Sequence, residues 1–152
     1  MQITDADRRL LRHMLAAPGL SVADLAERAG LTSATCWRRI ERLREGGVLR
    51  GEHAVIDWHA LGWEVEVSLR FTLDKTDPRA FDAFIAAARN VSEVIEIQSF
   101  LGSTDMRLQV IARDMAHYQE IYRNKILTLP HIAELDALML ISTIKSGAEL
   151  PL

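Results

Sequence analysis

Residues 21–44 of the chain read SVADLAERAGLTSATCWRRIERLR, and this stretch decides the fold of its N-terminal part. Ser21 and Asp24 stand three residues apart, which is the spacing of a capping box at the start of a helix. Gly30 follows the apolar residues of that helix, at a point where a residue that tolerates positive φ can end it. Thr32 can cap the helix that comes next. Two capped helices joined by a glycine turn predict a helix-turn-helix.

The second helix of this motif has one apolar face and one polar face. On a wheel of about 100° per residue, Cys36, Ile40 and Leu43 fall together, so we expect them to face the core. The polar face begins with small residues and continues with arginines, a layout that suits the major groove of DNA, where base edges are read. The residues expected to contact DNA are Thr32, Ser33, Ala34, Thr35, Trp37, Arg38, Arg39 and Arg42.

These side chains are expected to make different kinds of contact with DNA. Arg38 and Arg42 lie one turn apart and can form forked hydrogen bonds to guanine or to phosphate. Arg39 and Arg44 are expected to hold phosphates, which positions the helix without reading sequence. For Trp37, packing within the protein is favoured over a contact with a DNA sugar. A solvated helix rich in arginine is the alternative, but the caps, the glycine turn and the small residues in register favour the DNA-binding interpretation.

Composition restricts the classes of protein that the chain can belong to. Its 152 residues are 49% hydrophobic, which is typical of one ordinary domain or two small ones with a real core. No apolar run is long enough to cross a bilayer and no secretion signal opens the chain, so we expect a cytoplasmic protein without a membrane partner. A single cysteine and five scattered histidines predict no disulfide, no metal site and no cofactor.

The charge is divided unevenly along the chain. Residues 1–50 carry nine arginines against six carboxylates, a net charge of +3, whereas the remaining residues carry nine cations against fifteen carboxylates, a net charge of -6. This asymmetry indicates that the N-terminal part meets phosphate and that the rest does not. Because the positive excess is small, we expect a dimer or a larger assembly to bind DNA.

The segments on either side of the motif complete a first domain. Thr4 can cap a helix over residues 5–16, and glycines 46 and 47 end the second helix of the motif. Residues 48–56 resemble the short hairpin that forms the wing of a winged helix, and residues 57–62 resemble a hinge. The expected domains are a DNA-binding domain over 1–50, a wing and hinge linker over 51–62, and a second domain over 63–152.

The second domain begins with strict alternation of apolar and polar residues from Trp63 to Leu73, which predicts a half-buried strand. The elements expected after it are a helix from Pro78, strands over 91–100 and 106–112 joined by a turn at 102–105, a helix from Asp114 to Pro130, and a strand over 132–144. This β-α-β-β-α-β order is the ferredoxin-like arrangement, with both helices on one face of the sheet. The whole chain is therefore expected to be α+β, and the uncovered sheet face predicts a homodimer.

Several segments, taken in order, resemble the Lrp/AsnC (leucine-responsive/asparagine-type) family of transcriptional regulators over almost the whole chain. They are DADRRLL at 5–11, GLT at 30–32, WRRI at 37–40, GGVLRG at 46–51, GSTD at 102–105, Lys145, and LPL at 150–152. The resemblance implies an N-terminal winged helix-turn-helix, a hinge, and a C-terminal domain for regulation of amino-acid metabolism. It also implies dimers formed through the sheet, often octamers, and amino acids or related molecules bound between dimers.

The resemblance also implies an effector site at the turn between the two middle strands. The positions that carry over are Gly102 and Asp105, with Gln98, Phe100, Leu101, Ser103 and Thr104 nearby. Free amides at a glycine-containing turn can bind a carboxylate, and an aspartate can bind an ammonium group. The alternative is an ordinary turn in which Asp105 accepts hydrogen bonds from its own amides.

Together these observations predict a transcriptional regulator that reads pseudo-palindromic half-sites in double-stranded DNA and responds to a small molecule, plausibly an amino acid. An architectural, nucleoid-type protein with little sequence preference is one alternative. An enzyme on a ferredoxin-like sheet is another, because a fold does not fix a function. No nucleophile–base pair or glycine-rich phosphate loop stands out, so we expect no catalysis.

Overall fold

The computed structural model describes residues 2–52, 54–145 and 150. It contains two compact units, one built on the residues up to Val55 and the other spanning Ile56–Thr143. Among the described residues, no helix has the length and apolar character needed to cross a membrane. His53 of the expected wing and Pro151 and Leu152 of the closing LPL segment lie outside the described residues.

The first unit is a bundle of three helices. Helix α1 spans Asp5–Ala16, α2 spans Val22–Ala29 and α3 spans Ser33–Glu45. As expected from the wheel, α3 buries Cys36, Ile40 and Leu43. Burying a side chain the size of leucine or isoleucine contributes about 1.5–3 kcal/mol. The core residues of the unit are Leu10, Leu25, Ala26, Ala29, Cys36, Ile40 and Leu43.

Local hydrogen bonds at the helix ends fix the helix-turn-helix. The side chains of Thr4, Ser21 and Thr32 cap α1, α2 and α3, as their positions in the sequence predict. Gly30 ends α2 at φ 67°, in the left-handed region that favours glycine. The amide of Leu31 donates to the carbonyl of Ala26 at 2.8 Å, which closes α2 and starts the turn into α3.

The expected wing hairpin is wrong for the described part of residues 48–56, where the structure has no strand. The amides of Val48 and Leu49 both donate to the carbonyl of Leu43, at 2.9 and 3.0 Å. These bonds close the C-terminal end of α3, so the two donors are not available to a hairpin partner. The glycine pair after α3 therefore turns the chain back onto the helix end.

The second unit has the ferredoxin-like order that the sequence predicts. It consists of β1 (Val65–Leu73), α4 (Ala80–Ala88), β2 (Val94–Ser99), β3 (Met106–Ala112), α5 (Met115–Ile121) and β4 (Ile132–Met139). A short 3₁₀ turn at His59–Leu61 precedes β1, and a wide helical turn at Tyr122–Ile126 extends α5. The strands lie in the order β2-β3-β1-β4, and all neighbours are antiparallel.

Two strand ends differ from the expectation. Strand β1 begins at Val65, and Trp63 lies before it, with the Arg113 guanidinium 5.6 Å from the centre of its ring. The indole of Trp63 contacts this guanidinium group and the ring of His117. Strand β4 ends at Met139 instead of 144, and Leu140 donates one more hydrogen bond, to the carbonyl of Glu66.

Alternation along β1 separates a core face from an open face. Val67, Leu69, Phe71 and Leu73 are buried in the core formed with α4 and α5, where the rings of Phe71 and Phe84 meet edge to face with centroids 4.9 Å apart. The other side of the sheet, which we call the open face, carries mostly polar side chains, and the core residues of α4 and α5 do not pack on it. It carries Glu66, Ser68, Arg70 and Thr72 of β1, Arg107 and Gln109 of β3, and Glu134 and Asp136 of β4.

A buried carboxylate joins α1 to α3 in the first unit. Asp7 is fully buried, and its oxygens accept hydrogen bonds from the amide and hydroxyl of Thr4 at 2.8 and 2.6 Å. They also accept from Arg39 Nη1 at 2.8 Å and from Arg42 Nη2 at 2.5 Å. Burial alone would raise the pKa of Asp7, but the donors from Thr4 and the two arginines hold it well below its usual range.

We expect Asp7→Asn to destabilise the first unit, because the substitution keeps the shape of the side chain and removes its charge from beneath two arginines. The free energy of unfolding should fall by about 1–3 kcal/mol, since both guanidinium groups are partly exposed and can be rehydrated. Urea unfolding followed by circular dichroism at neutral pH measures this change. Asp5→Asn removes an exposed carboxylate from the same helical turn and should cost much less.

The stability difference between the parent protein and Asp7→Asn should depend on pH. Because the pKa of Asp7 is lower in the folded than in the unfolded chain, its ion pairs stabilise the fold above about pH 4 and lose that effect as the pH falls further. Between about pH 7 and about pH 3, the parent protein should therefore lose more stability than Asp7→Asn does. Equal losses in the two proteins would show that the Asp7 ion pairs do not stabilise the fold.

Candidate DNA-binding and effector sites

The polar face of α3 is held outward by the apolar residues behind it. Ser33 and Ala34 are exposed at its start, and Thr35 is half-buried. The hydroxyl of Thr32 accepts from the Thr35 amide at 3.3 Å and donates to the Thr35 hydroxyl at 2.9 Å, so the cap already engages both side chains. The side chain of Trp37 is 55% exposed, contrary to the packing role that the sequence favoured.

The arginines of α3 differ in their partners. Arg39 and Arg42, expected at the DNA, both bind Asp7, and Arg44 binds Glu41 at 2.8 Å. Within the described residues, Arg38 is exposed and makes no ion pair with a carboxylate. Of the arginines expected at the DNA, Arg38 therefore has its whole guanidinium group available for a ligand.

The sequence alone did not reveal the two partners of Asp7. This residue occupies the third position of a capping box, and that local role already accounts for an acidic side chain there. Its partners Arg39 and Arg42 lie 32 and 35 residues further along the chain. A pairing of that kind depends on how α1 crosses α3, which no local spacing rule contains.

Asp105 is held by its own chain at the turn between β2 and β3. It is 4% exposed, and its carboxylate accepts from Lys75 Nζ at 2.8 Å and from the Leu73 amide at 2.9 Å. The hydrogen bond from Lys75 lowers the pKa of Asp105, with the Leu73 amide adding to the effect. A lysine ammonium group thus already binds Asp105, and a contact of Asp105 with the ammonium group of a ligand stays a prediction.

The rest of the turn is more exposed. Gly102 has φ 154°, Leu101 is fully exposed, and Phe100 is about half exposed. The hydroxyl of Thr72 donates to the carbonyl of Ser103 at 3.1 Å, which ties the turn to β1. Gln98 lies on β2 and donates to Glu96 instead of pointing to the turn.

A shallow cavity of about 540 Å³ lies on the open face beside this turn. Of the seven residues expected at the effector site, Ser103 and Thr104 line it. The polar side chains around it that the sequence analysis did not select are Arg70, Thr72, Glu134 and Asp136. Arg70 lies directly opposite Asp136 in the pairing of β1 with β4, so the site combines a cation, two carboxylates and several hydroxyl groups.

Alternation along β1 predicted that Arg70 lies on the polar face, and this was the available signal that it could line the cavity. The sequence did not predict that the acidic residues of β4 lie beside Arg70. Their position depends on the register between two strands about 65 residues apart in the chain. Among the described residues, no group of three His, Cys, Asp or Glu side chains is placed to hold a metal ion.

Comparison with known proteins assigns both parts of the chain. Residues 3–50 match the family model for a winged helix-turn-helix DNA-binding domain, and residues 66–150 match the model for the Lrp/AsnC ligand-binding domain. A curated relative, the proline dehydrogenase transcriptional activator of Rhodobacter capsulatus, is 32% identical over 131 residues, which cover 86% of this chain and 85% of the relative.

Solved structures agree with this assignment. An AsnC family transcriptional regulator from Agrobacterium tumefaciens is 30% identical, with a TM-score of 0.87 and coverage of 97% of this chain and 96% of that one. The feast or famine regulatory protein from M. tuberculosis, solved in complex with L-methionine, is 25% identical, with a TM-score of 0.85 and coverage of 98% and 99%.

One assignment follows from the helix-turn-helix, the ferredoxin-like sheet, the two matching family models and the relatives that match over almost the full length. The chain belongs to the Lrp/AsnC family of transcriptional regulators.

Proposed function

We propose that this protein is a transcriptional regulator that binds double-stranded DNA through residues 1–50 and a free amino acid through residues 63–152, with residues 51–62 as the link. The observation that carries the DNA-binding part is the polar face of α3, which places Arg38 and hydroxyl side chains outward from a rigid core. The DNA-binding match over 3–50 and the regulators among the relatives support it.

In this proposal Arg38 reads a base, because its forked donors match the two acceptor atoms of guanine in the major groove. Arg39 and Arg42 contact phosphate with the donors that Asp7 leaves unused, since a guanidinium group has five N–H donors. The Arg42 side chain is 43% exposed, so it can reach a phosphate without leaving the carboxylate. Phosphate contacts of this kind fix the register of the helix on the duplex.

We propose that the regulator acts as a homodimer formed through the open face of the sheet, and that dimers can assemble further into octamers in the cytoplasm. One copy carries a positive excess of only +3 in its DNA-binding half, which is small for binding a duplex. Two copies double that charge and bring two α3 helices to the two half-sites of a pseudo-palindrome.

The amino-acid site in this proposal is the cavity beside the turn at 102–105. The guanidinium group of Arg70 pairs with the ligand carboxylate, and Glu134 or Asp136 accepts from its ammonium group. Asp105 and Lys75 hold the turn in place beneath the ligand. The relative from M. tuberculosis that was solved with L-methionine supports an amino acid as the class of ligand.

Replacing Arg38 by alanine tests the DNA-binding part. We expect a loss of about 1–3 kcal/mol in binding free energy, together with relaxed preference at one base pair of each half-site. The measurement is fluorescence anisotropy at fixed salt, on a site selected from random DNA and on its single-base variants. Arg89→Ala, which removes an exposed arginine next to α4, should change nothing.

Two results would contradict the role of Arg38. A uniform loss across all sequences would make Arg38 a phosphate contact, and an unchanged affinity would remove it from the interface. Near-equal affinity of the parent protein for all sequences, with one steep salt dependence, would favour an architectural protein over a regulator.

Replacing Arg70 by glutamine tests the amino-acid site. We expect binding of the preferred amino acid to weaken by about 1.5–3 kcal/mol, because a charged hydrogen-bonding partner of the carboxylate is lost. A thermal-shift screen against the common amino acids identifies the ligand, and titration calorimetry measures the loss. Affinity for DNA without the amino acid should not change as long as the variant remains a dimer, and Arg89→Gln serves as the control. Full binding by Arg70→Gln would place the ligand elsewhere.

A further inference from the structure

Three arginines on the outward face of α1 stand without an ion-pair partner. Arg8, Arg9 and Arg12 are exposed, and in the described part of the chain no carboxylate lies within ion-pair distance of any of them. On a wheel of about 100° per residue they fall on the side of α1 opposite to Asp7 and Leu10, which are buried. We call these three side chains the α1 patch.

The α1 patch is basic, and nothing within its own helix balances the charge. Asp5 is the one exposed carboxylate of α1, so the outer face of the helix carries three cations against one anion. Asp7 is buried and is already paired with two arginines of α3. Arg8 and Arg12 stand four residues apart, a spacing at which like charges destabilise a helix. The arrangement therefore favours an anionic partner from outside the helix.

The α1 patch adjoins the arginines of α3 that are proposed to hold phosphate. Arg39 Nη1 donates to Asp7 at 2.8 Å and to the hydroxyl of Thr4 at 3.1 Å, and Arg42 also binds Asp7. Arg8 follows Asp7 directly in the chain. A phosphate that reaches the exposed donors of Arg39 or Arg42 therefore lies on the α1 side of α3.

The chemistry of the α1 patch suits a DNA backbone. All three cations are arginines, whose planar forked donors match the oxygens of a phosphate. Arg8 and Arg12 are separated by about 6 Å along the helix axis, and a DNA strand presents a phosphate about every 3.4 Å along its own axis. One strand that passes along α1 can therefore meet more than one of these side chains.

From these observations we infer that the α1 patch is a second DNA-binding surface, which contacts the phosphate backbone beside the groove that α3 enters. The inference rests on the proposed DNA-binding function and deepens it. The α1 patch supplies phosphate contacts that carry no sequence information, whereas Arg38 on α3 supplies the base contact. A large part of the affinity for DNA thus comes from α1, and the preference for one sequence comes from α3.

The test compares two triple variants of the full-length protein. The patch variant replaces all three arginines of the α1 patch by glutamine, which removes the charge and keeps a side chain that favours a helix. The control variant makes the same substitution at three exposed arginines of the second unit, Arg79, Arg89 and Arg123. Fluorescence anisotropy at several salt concentrations measures binding to the site selected from random DNA and to its single-base variants.

We expect the patch variant to bind DNA about 10- to 100-fold more weakly than the parent protein at about 0.1 M salt. The slope of log K against log salt should become shallower by about 0.9 for each phosphate contact that is lost. The ratio of affinities for the selected site and its single-base variants should stay the same. The control variant should match the parent protein in all three quantities.

A lysine variant and two physical measurements separate DNA contact from a structural role. Lysine at the three positions of the α1 patch keeps the charge, so most of the affinity and of the salt dependence should return. Urea unfolding of the patch variant should match that of the parent protein, because the three side chains are exposed. Analytical ultracentrifugation should give the same assembly for both proteins.

The outcomes distinguish this inference from the proposed function. If the parent protein binds DNA and responds to Arg38→Ala, unchanged affinity and salt dependence in the patch variant would overturn this inference alone. Weaker binding together with dissociation of the assembly would also overturn it, because the α1 patch would then meet acidic residues of a second copy. A parent protein that binds no DNA would overturn the proposed function and, with it, this inference.

Discussion

The carboxylate of Asp7 determines how α3 is presented to a ligand. A buried charge needs partners, and here two of its partners are arginines of the helix that carries the candidate DNA-binding residues. The ion pairs fix α3 against α1 and at the same time occupy part of two guanidinium groups. Arg38 is exposed on the same helix and makes no ion pair with a carboxylate of the described residues. The proposed division between Arg38 at a base and Arg39 and Arg42 at phosphates therefore depends on one carboxylate.

Asp105 is the corresponding buried carboxylate of the second unit. Its buried carboxylate binds Lys75 and the Leu73 amide, so the turn between β2 and β3 is joined to the end of β1. In both units a buried aspartate stabilises the element that the ligand is proposed to meet. In neither unit is that aspartate itself left open for the ligand.

Whether the sequence predicted a feature depended on how far apart in the chain the interacting residues lie. Helix caps and the glycine turn depend on residues three or four apart, so α1, the Gly30 turn and the buried face of α3 were confirmed. Alternation likewise predicted the strands and the ferredoxin-like order. The winged helix-turn-helix assignment was confirmed, but the described part of residues 48–56 has no strand, and the amides of Val48 and Leu49 bind the Leu43 carbonyl. The partners of Asp7 and the residues opposite Arg70 depend on helix crossing and strand register, which one sequence does not contain.

The position of the single cysteine has a consequence for chemical damage. The thiol of Cys36 is completely buried in the interior of the first unit, and burial raises its pKa, so little of the reactive thiolate forms. Peroxides and alkylating agents can attack it only after the three helices separate. The DNA-binding unit is therefore protected from oxidation at this residue for as long as the three-helix bundle stays folded. The rate at which an alkylating agent labels the sulfur of Cys36 reports how often the bundle opens.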